Sequence, residues 1–232
     1  MNRQLQDNLE AVKAAIQQAA ARSLRKPEAV TLIAVSKTRS AAEVRALHEL
    51  GVNNFGENRV QEAAPKIDAL ADLNLDWHLI GSLQTNKVRQ IFPKVGLIHS
   101  LDRWSLVKEL ERCALRFGTP ARCLVQVNIA GEASKSGLAP GEVREFVQTV
   151  AADYSHVQIH GLMTIAPLVD DPEQVRGYFR QMKSMSDELA AQAGGYTMEH
   201  LSMGMSGDFQ VAIEEGATMV RVGTAIFGRR EA

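Results

Sequence analysis

The amino-acid sequence predicts an α/β protein, a single TIM-type (β/α)8 barrel with an additional N-terminal helix. Three observations carry that expectation. About eight short apolar runs rich in β-branched residues alternate with stretches of helical period, the rhythm of parallel strands joined by helical crossovers. The 232 residues and 45% hydrophobic content suit one large domain with a substantial core. No strand-to-helix turn carries the Gly-rich pattern of a dinucleotide-binding open sheet, which favours closure over a doubly wound arrangement.

Residues 5–24 place Leu5, Leu9, Val12, Ile16, Ala19 and Ala20 at helical spacing, and Pro27 marks the stop. The first strand, 31–38, is apolar and β-branched and ends on Lys37. Ser40 reads as the N-cap of a helix over 41–50 that Gly51 terminates. Further strands follow at 52–58, 76–81, 95–101, 121–129, 157–165, 197–206 and 219–227. Helices between them are expected at 60–70, 86–92, 105–117, 140–152, 172–193 and 208–215. The chain stops just after the eighth strand, so the N-terminal helix is expected to take the place of the missing eighth cover.

A formal charge of −1 provides no bulk field for nucleic acid or an anionic membrane. Cys113 and Cys123 have no metal-type spacing and read as reduced thiols of a cytosolic protein. The polar first ten residues do not resemble a signal peptide, and no apolar run reaches membrane-spanning length. These features predict one cytoplasmic domain covering residues 1–232.

In such barrels the reactive face is built at the C-terminal ends of the strands. Those ends here carry Lys37, then Gly56-Glu57-Asn58, His78 with Gly81-Ser82, Asn128, Met163, the run Ser202 to Asp208, and Arg221-Val222-Gly223-Thr224. Small residues in the last two clusters let backbone N–H groups approach an anion, and the hydroxyls of Ser206 and Thr224 can donate. Loops after the seventh and eighth strands are this fold's usual phosphate site. Single residues have plainer readings. Lys37 can sit at a strand tip with its ammonium in water, and Gly204, Gly207 and Gly223 can serve tight turns. Asn58 can cap a helix, His78 can be an ordinary buried histidine, Arg221 can pair with a carboxylate such as Glu57, and Lys135 can be a solvated loop residue.

Taken together, a strand-end lysine and a phosphate cradle across one barrel mouth are two anchor points for pyridoxal 5′-phosphate (PLP). Arg221 is then the candidate partner of the pyridine nitrogen. A guanidinium cannot accept a proton, so it would hold that nitrogen unprotonated and restrict the chemistry.

The segments Ala34 to Thr38, Phe55 to Asn58, Trp77 to Gly81, Ser134 to Gly137, His160 to Met163, Leu201 to Ser206 and Val220 to Gly228 resemble the YggS/PROSC family of pyridoxal phosphate homeostasis proteins. The resemblance runs from the first helix to the last strand and implies an alanine racemase-like barrel. It implies that Lys37 carries PLP as a Schiff base and Arg221 faces the pyridine nitrogen. Ser206, Gly223 and Thr224 would hold the phosphate, with Asn58, His78 and Met163 around the ring, and Ser202 and Gly204 are further expected cofactor-binding residues. Lys135 would be a secondary or transfer site. Gly207 departs from the Ser or Asp found in many members. The implied role is a carrier or buffer of PLP in vitamin B6 and amino-acid balance without established turnover, with PLP-dependent apo-enzymes as candidate partners; the barrel without a swapped domain suggests a monomer.

Two other readings compete. A PLP-dependent racemase or lyase of narrow scope needs a second acid/base opposite Lys37, and Tyr154, Tyr178 and Tyr196 occupy no convincing rim position. A barrel enzyme binding a sugar phosphate would use Lys37 as an aldolase-type amine without PLP.

Overall fold

The computed structural model describes residues 3–192 and 194–228 of the chain. Its eight strands are β1 (Thr31–Val35), β2 (Asn54–Glu57), β3 (Asp76–Leu79), β4 (Leu97–Leu101), β5 (Ala121–Val127), β6 (Val157–Thr164), β7 (His200–Ser202) and β8 (Met219–Val222). All pair in parallel with their sequence neighbours, and β8 closes on β1 through Thr31↔Met219 to Ala34↔Val222. Among the described residues nine α-helical segments surround the barrel: α1 (Arg3–Arg22), α2 (Ala41–Glu49), α3 (Val60–Ala69), α4 (Val88–Ile91), α5 (Trp104–Phe117), α6 (Val143–Asp153), α7 (Arg176–Ala190), α8 (Phe209–Glu214) and α9 (Thr224–Phe227).

In α1, the six apolar positions at helical spacing are the buried ones. Their stripe faces the end of the chain. Asn8 Nδ2 donates to the Ile226 carbonyl at 2.9 Å, and Arg25 donates to the carbonyls of Ile213 and Ala217. The N-terminal helix, expected to cover the eighth strand, packs against α8 and α9 on either side of it. In α2 the expected cap is a reciprocal one: Ser40 Oγ accepts from the Glu43 N–H, and Glu43 accepts from the Ser40 N–H.

Four expected elements differ. The helix over 86–92 is a 3-10 turn, the single turn α4 and a second 3-10 turn, since Pro93 removes the donor that would continue the ladder. The strand over 219–227 ends at Val222, and Gly223 leads into α9. The strand within 197–206 shortens to three residues because Gly204, at φ +91°, turns the chain. The helix over 172–193 begins as a 3-10 turn and ends at Ala190, while Ala193 lies outside the described residues.

Two apolar layers result. The larger lies between strands and helices, and a small inner cluster of Ile33, Leu97, Leu124, Met163 and Met219 fills the barrel. Two bulges set the phase of the inner layer. Between Ile98↔Cys123 and Leu101↔Val125, β4 carries one residue more than β5. Between Cys123↔Ile159 and Val125↔Leu162, β6 does the same. The second bulge lets Ile159 and Leu162 both face the helices while Met163 turns inward.

Candidate functional site

A cavity of about 590 Å³ opens at the C-terminal rim of the barrel. Its wall takes Val35 and Lys37 from the end of β1, Asn58 after β2, and Ile80 to Ser82 after β3. Gln126 to Asn128 come from β5, Ile165 and Leu168 follow β6, Met205 to Gly207 follow β7, and Arg221, Gly223 and Thr224 belong to the end of β8. Lys135 joins them from the loop after β5.

Lys37 lies two residues beyond β1 and is exposed. It sits at the corner of a turn in which the Arg39 N–H donates to the Ser36 carbonyl at 3.0 Å. The next residue, Thr38, has φ +64°, a conformation that a β-branched residue rarely adopts. Helix α3 clamps this turn on both sides of the lysine. Glu62 Oε2 accepts from the Thr38 N–H at 3.0 Å, and Lys66 Nζ donates to the Ser36 carbonyl at 2.7 Å. Lys66 is itself paired with the buried Glu57 at 2.5 Å, and Ser36 Oγ donates to the same carboxylate oxygen. Glu57 is thus partnered on the helix side of β2 and does not reach Arg221.

Across the cavity, Ser206 Oγ accepts from the backbone N–H groups of Gly223 and Ala225, each at 3.3 Å, with Thr224 Oγ1 at 3.5 Å. Two backbone donors and two hydroxyls therefore converge at one corner. Between this corner and Lys37, Arg221 forms part of the floor. It is 4% exposed and donates to Ser202 Oγ at 2.6 Å and the Thr164 carbonyl at 2.7 Å. No carboxylate among the described residues lies within salt-bridge distance of it. Burial lowers its pKa to about 10, against a weaker attraction from Asp208.

Two expected ring neighbours, His78 and Met163, and the expected cofactor-binding Gly204 sit elsewhere. His78 points into the barrel interior, bonded to His99 and to Asn54 at the start of β2, and does not line the cavity. Met163 belongs to the inner apolar cluster, because the β6 bulge sets its phase. Gly204 packs its backbone against α8, where an added Cβ would lie 2.6 Å from Ala212 Cβ. Ser202 is likewise absent from the cavity wall and acts on it only through Arg221. Asn58 does line the cavity. Its backbone oxygen would lie 2.2 Å from a Cβ on Gly81, so Gly81 allows the close approach of the two rim segments.

Sequence reasoning missed His99, Lys66, Glu62 and Gln126. A histidine inside the apolar run of β4 was a usable signal for His99. The α3 residues look like any exposed helix positions. Gln126 Nε2 donates to the Ser136 carbonyl and Asn128 Nδ2 to the Glu132 carbonyl, so two wall residues tether the Lys135 loop.

The interior histidines predict a pH dependence. Burial, with the nearby His200 and Arg122 charges, lowers the His78 pKa from 6.5 to about 4. Below pH 6.5 the unfolded chain takes up a proton at this site that the native state refuses, so native stability falls as pH drops. His78 alone accounts for about 3 kcal/mol lost between pH 6.5 and 4. Buried His99, also shifted downward, acts in the same direction. Urea unfolding at pH 7 and pH 4.5 reads this loss, and His78→Gln is expected to flatten the slope. An equal slope in that variant would assign the loss to other groups.

The family described as alanine racemase, N-terminal domain, matches residues 8–231. A relative from Aquifex aeolicus called "Pyridoxal phosphate homeostasis protein" is 44% identical over 225 residues, covering 97% of this chain and 98% of its own. A Pseudomonas aeruginosa protein of the same name is 40% identical, covering 97% and 95%. PipY of Synechococcus elongatus, solved with PLP bound, is 37% identical and superposes with a TM-score of 0.84 over 97% of this chain and all of its own.

Proposed function

Because the chain belongs to the family of pyridoxal phosphate homeostasis proteins, built on the N-terminal domain of alanine racemase, we propose that it binds PLP and buffers or delivers it rather than turning over a substrate. The observation that carries this reading is the convergence, in one cavity, of an exposed amine, an anion corner and a buried guanidinium with no carboxylate partner among the described residues. PLP, when bound, supplies an aldehyde that condenses with a primary amine as a Schiff base.

The residues fit that group. Lys37 offers the amine, held outward by the α3 clamp. The donors around Ser206 suit a phosphate, and Arg221 has charge left for a ring nitrogen that accepts. Asn58 lines the intervening wall. His78, Met163, Ser202 and Gly204 lie behind this layer and shape it. Lys135 provides a second amine in the same cavity, on a loop, as a transfer site would require. Racemisation would need an acid/base facing Lys37, whereas Tyr154, Tyr178 and Tyr196 pack against the outer core. We read the protein as a cytoplasmic monomer passing PLP to apo-enzymes. No helix among the described residues is long and apolar enough to cross a membrane.

The test is a visible absorption spectrum after incubation with PLP and dialysis, followed by borohydride reduction and peptide mapping. A chromophore fixed to Lys37 in the wild type and absent in Lys37→Ala is expected. Labelling that persists elsewhere in Lys37→Ala would remove the lysine from its role, and a colourless wild type would remove PLP. Amino acids incubated in D2O with the loaded protein are expected to lose α-hydrogen no faster than with free PLP.

A further inference from the structure

A continuous hydrogen-bonded chain crosses the barrel interior beneath the cavity. Arg221 Nη1 reaches Ser202 Oγ at 2.6 Å, and Ser202 Oγ lies 3.0 Å from His99 Nδ1. His99 Nε2 lies 3.0 Å from His78 Nδ1, and His78 Nε2 lies 3.1 Å from Asn54 Oδ1. Arg221, Ser202, His99 and His78 are all buried, while Asn54 is half-buried at the start of β2.

The direction of every link follows from the first. A guanidinium only donates, so Ser202 Oγ accepts from Arg221. The Ser202 hydroxyl proton then needs an acceptor in a fully buried place, and His99 Nδ1 is the partner within reach. His99 therefore carries its proton on Nε2 and donates it to His78 Nδ1. His78 in turn carries its proton on Nε2 and donates to the Asn54 amide oxygen. Reversing the middle link would set the His99 Nδ1 proton against the Ser202 hydroxyl proton at 3.0 Å and the His78 Nε2 lone pair against Asn54 Oδ1 at 3.1 Å.

We propose that His99 and His78 act, through Ser202, as positioning residues for Arg221: neutral groups anchor a buried cation without neutralising it. This rests on the reading of Arg221 as the group that meets a PLP ring. A carboxylate in the place of Ser202 would hold the guanidinium as firmly but would cancel the charge that a ligand must meet. A serine leaves the charge intact, at the cost of a buried hydroxyl proton, and the two imidazoles carry that demand down to Asn54. The chain works only while both rings are neutral. The titratable and charged groups facing them are His200, Arg122 and Arg221; burial and the two arginines oppose imidazolium formation, and protonation of His200 would add to that opposition.

Two variants test the assignment in PLP-loaded protein. His99→Leu cannot accept from Ser202, and His99→Gln can accept there and donate to His78. The leucine variant is expected to weaken PLP retention about fivefold, as the loss of one neutral hydrogen bond would, and to move the visible band. Glutamine is expected to restore both. A merely structural role would lower the stability of each variant and leave the band in place. A folded His99→Leu protein with wild-type band and affinity would overturn the proposal. A second readout does not involve PLP. NMR of ¹⁵N-histidine-labelled, ligand-free protein at pH 7 is expected to find both rings neutral with the proton on Nε2. A proton on Nδ1 of either ring would overturn the chain. If wild-type protein fails to take up PLP, the functional reading fails, and the NMR result still decides whether the directed chain exists.

Discussion

Lys66→Met is expected to lower unfolding stability by about 3–5 kcal/mol, the range for removing one partner of a buried ion pair. Lys66 and Glu57 are almost wholly enclosed, with side chains 9% and 1% exposed. Without the ammonium, Glu57 would retain a bond from Ser36 Oγ on one oxygen and nothing on the other, which already has no partner. That leaves a charge in the layer between β2 and α3 that water cannot reach. Denaturant titration measures the loss as a lower midpoint at unchanged slope. Combining Lys66→Met with Glu57→Gln is expected to recover a large part of it, because the uncompensated charge is then gone. A Lys66→Met protein within 1 kcal/mol of wild type would show that the pair is not buried as described.

The same variant links stability to function. Lys66 Nζ holds the carbonyl of Ser36, and Glu62 holds the N–H of Thr38, so the peptide units on either side of Lys37 are fixed by one face of α3. Thr38 keeps its left-handed conformation against its own preference because these bonds over-determine it. In Lys66→Met the turn is expected to relax, and Lys37 to be labelled more slowly by PLP and borohydride even under conditions where the protein remains folded.

How far the molecule was legible from its sequence depended on whether the cause was local. The α1 stripe, the Ser40 cap and the position of Lys37 after a β-branched run are encoded within a few residues, and all appear as expected. The barrel was legible because eight such units can close without a long crossover. The support behind the site was not. Glu57 and Lys66 meet because β2 and α3 are packed together, and neither residue type announces its partner. His78 was placed at the rim by counting along a strand, but its neighbours on β2 and β4 put it in the interior. Met163 was placed at the rim as a strand-end residue, but a bulge in β6 adds a residue and turns it into the barrel interior.

That bulge gives the other large effect. Gly161→Ala is expected to cost more than about 4 kcal/mol, the magnitude that marks a specific structural clash. Gly161 has φ +149°, and a Cβ there would lie 1.8 Å from the His200 carbonyl oxygen and 2.7 Å from its carbon. Both contacts are with the backbone of the neighbouring strand, paired in register at Gly161↔His200, so no side-chain rotation relieves them. Removing the clash requires β6 and β7 to part or the bulge to be lost. Losing the bulge would swap the faces of every later residue in β6, sending Met163 outward and withdrawing the Thr164 carbonyl from Arg221. The floor of the cavity would then lose one of its two anchors. Gly141→Ala is the matched control, since its added Cβ meets open space and is expected to change stability by less than about 1 kcal/mol. Parallel unfolding curves and PLP titrations of the two variants separate the outcomes. If Gly161→Ala retains both wild-type stability and PLP uptake, the β6 bulge does not set the phase of the inner layer, and the inward placement of Met163 and the anchoring of Arg221 need another cause.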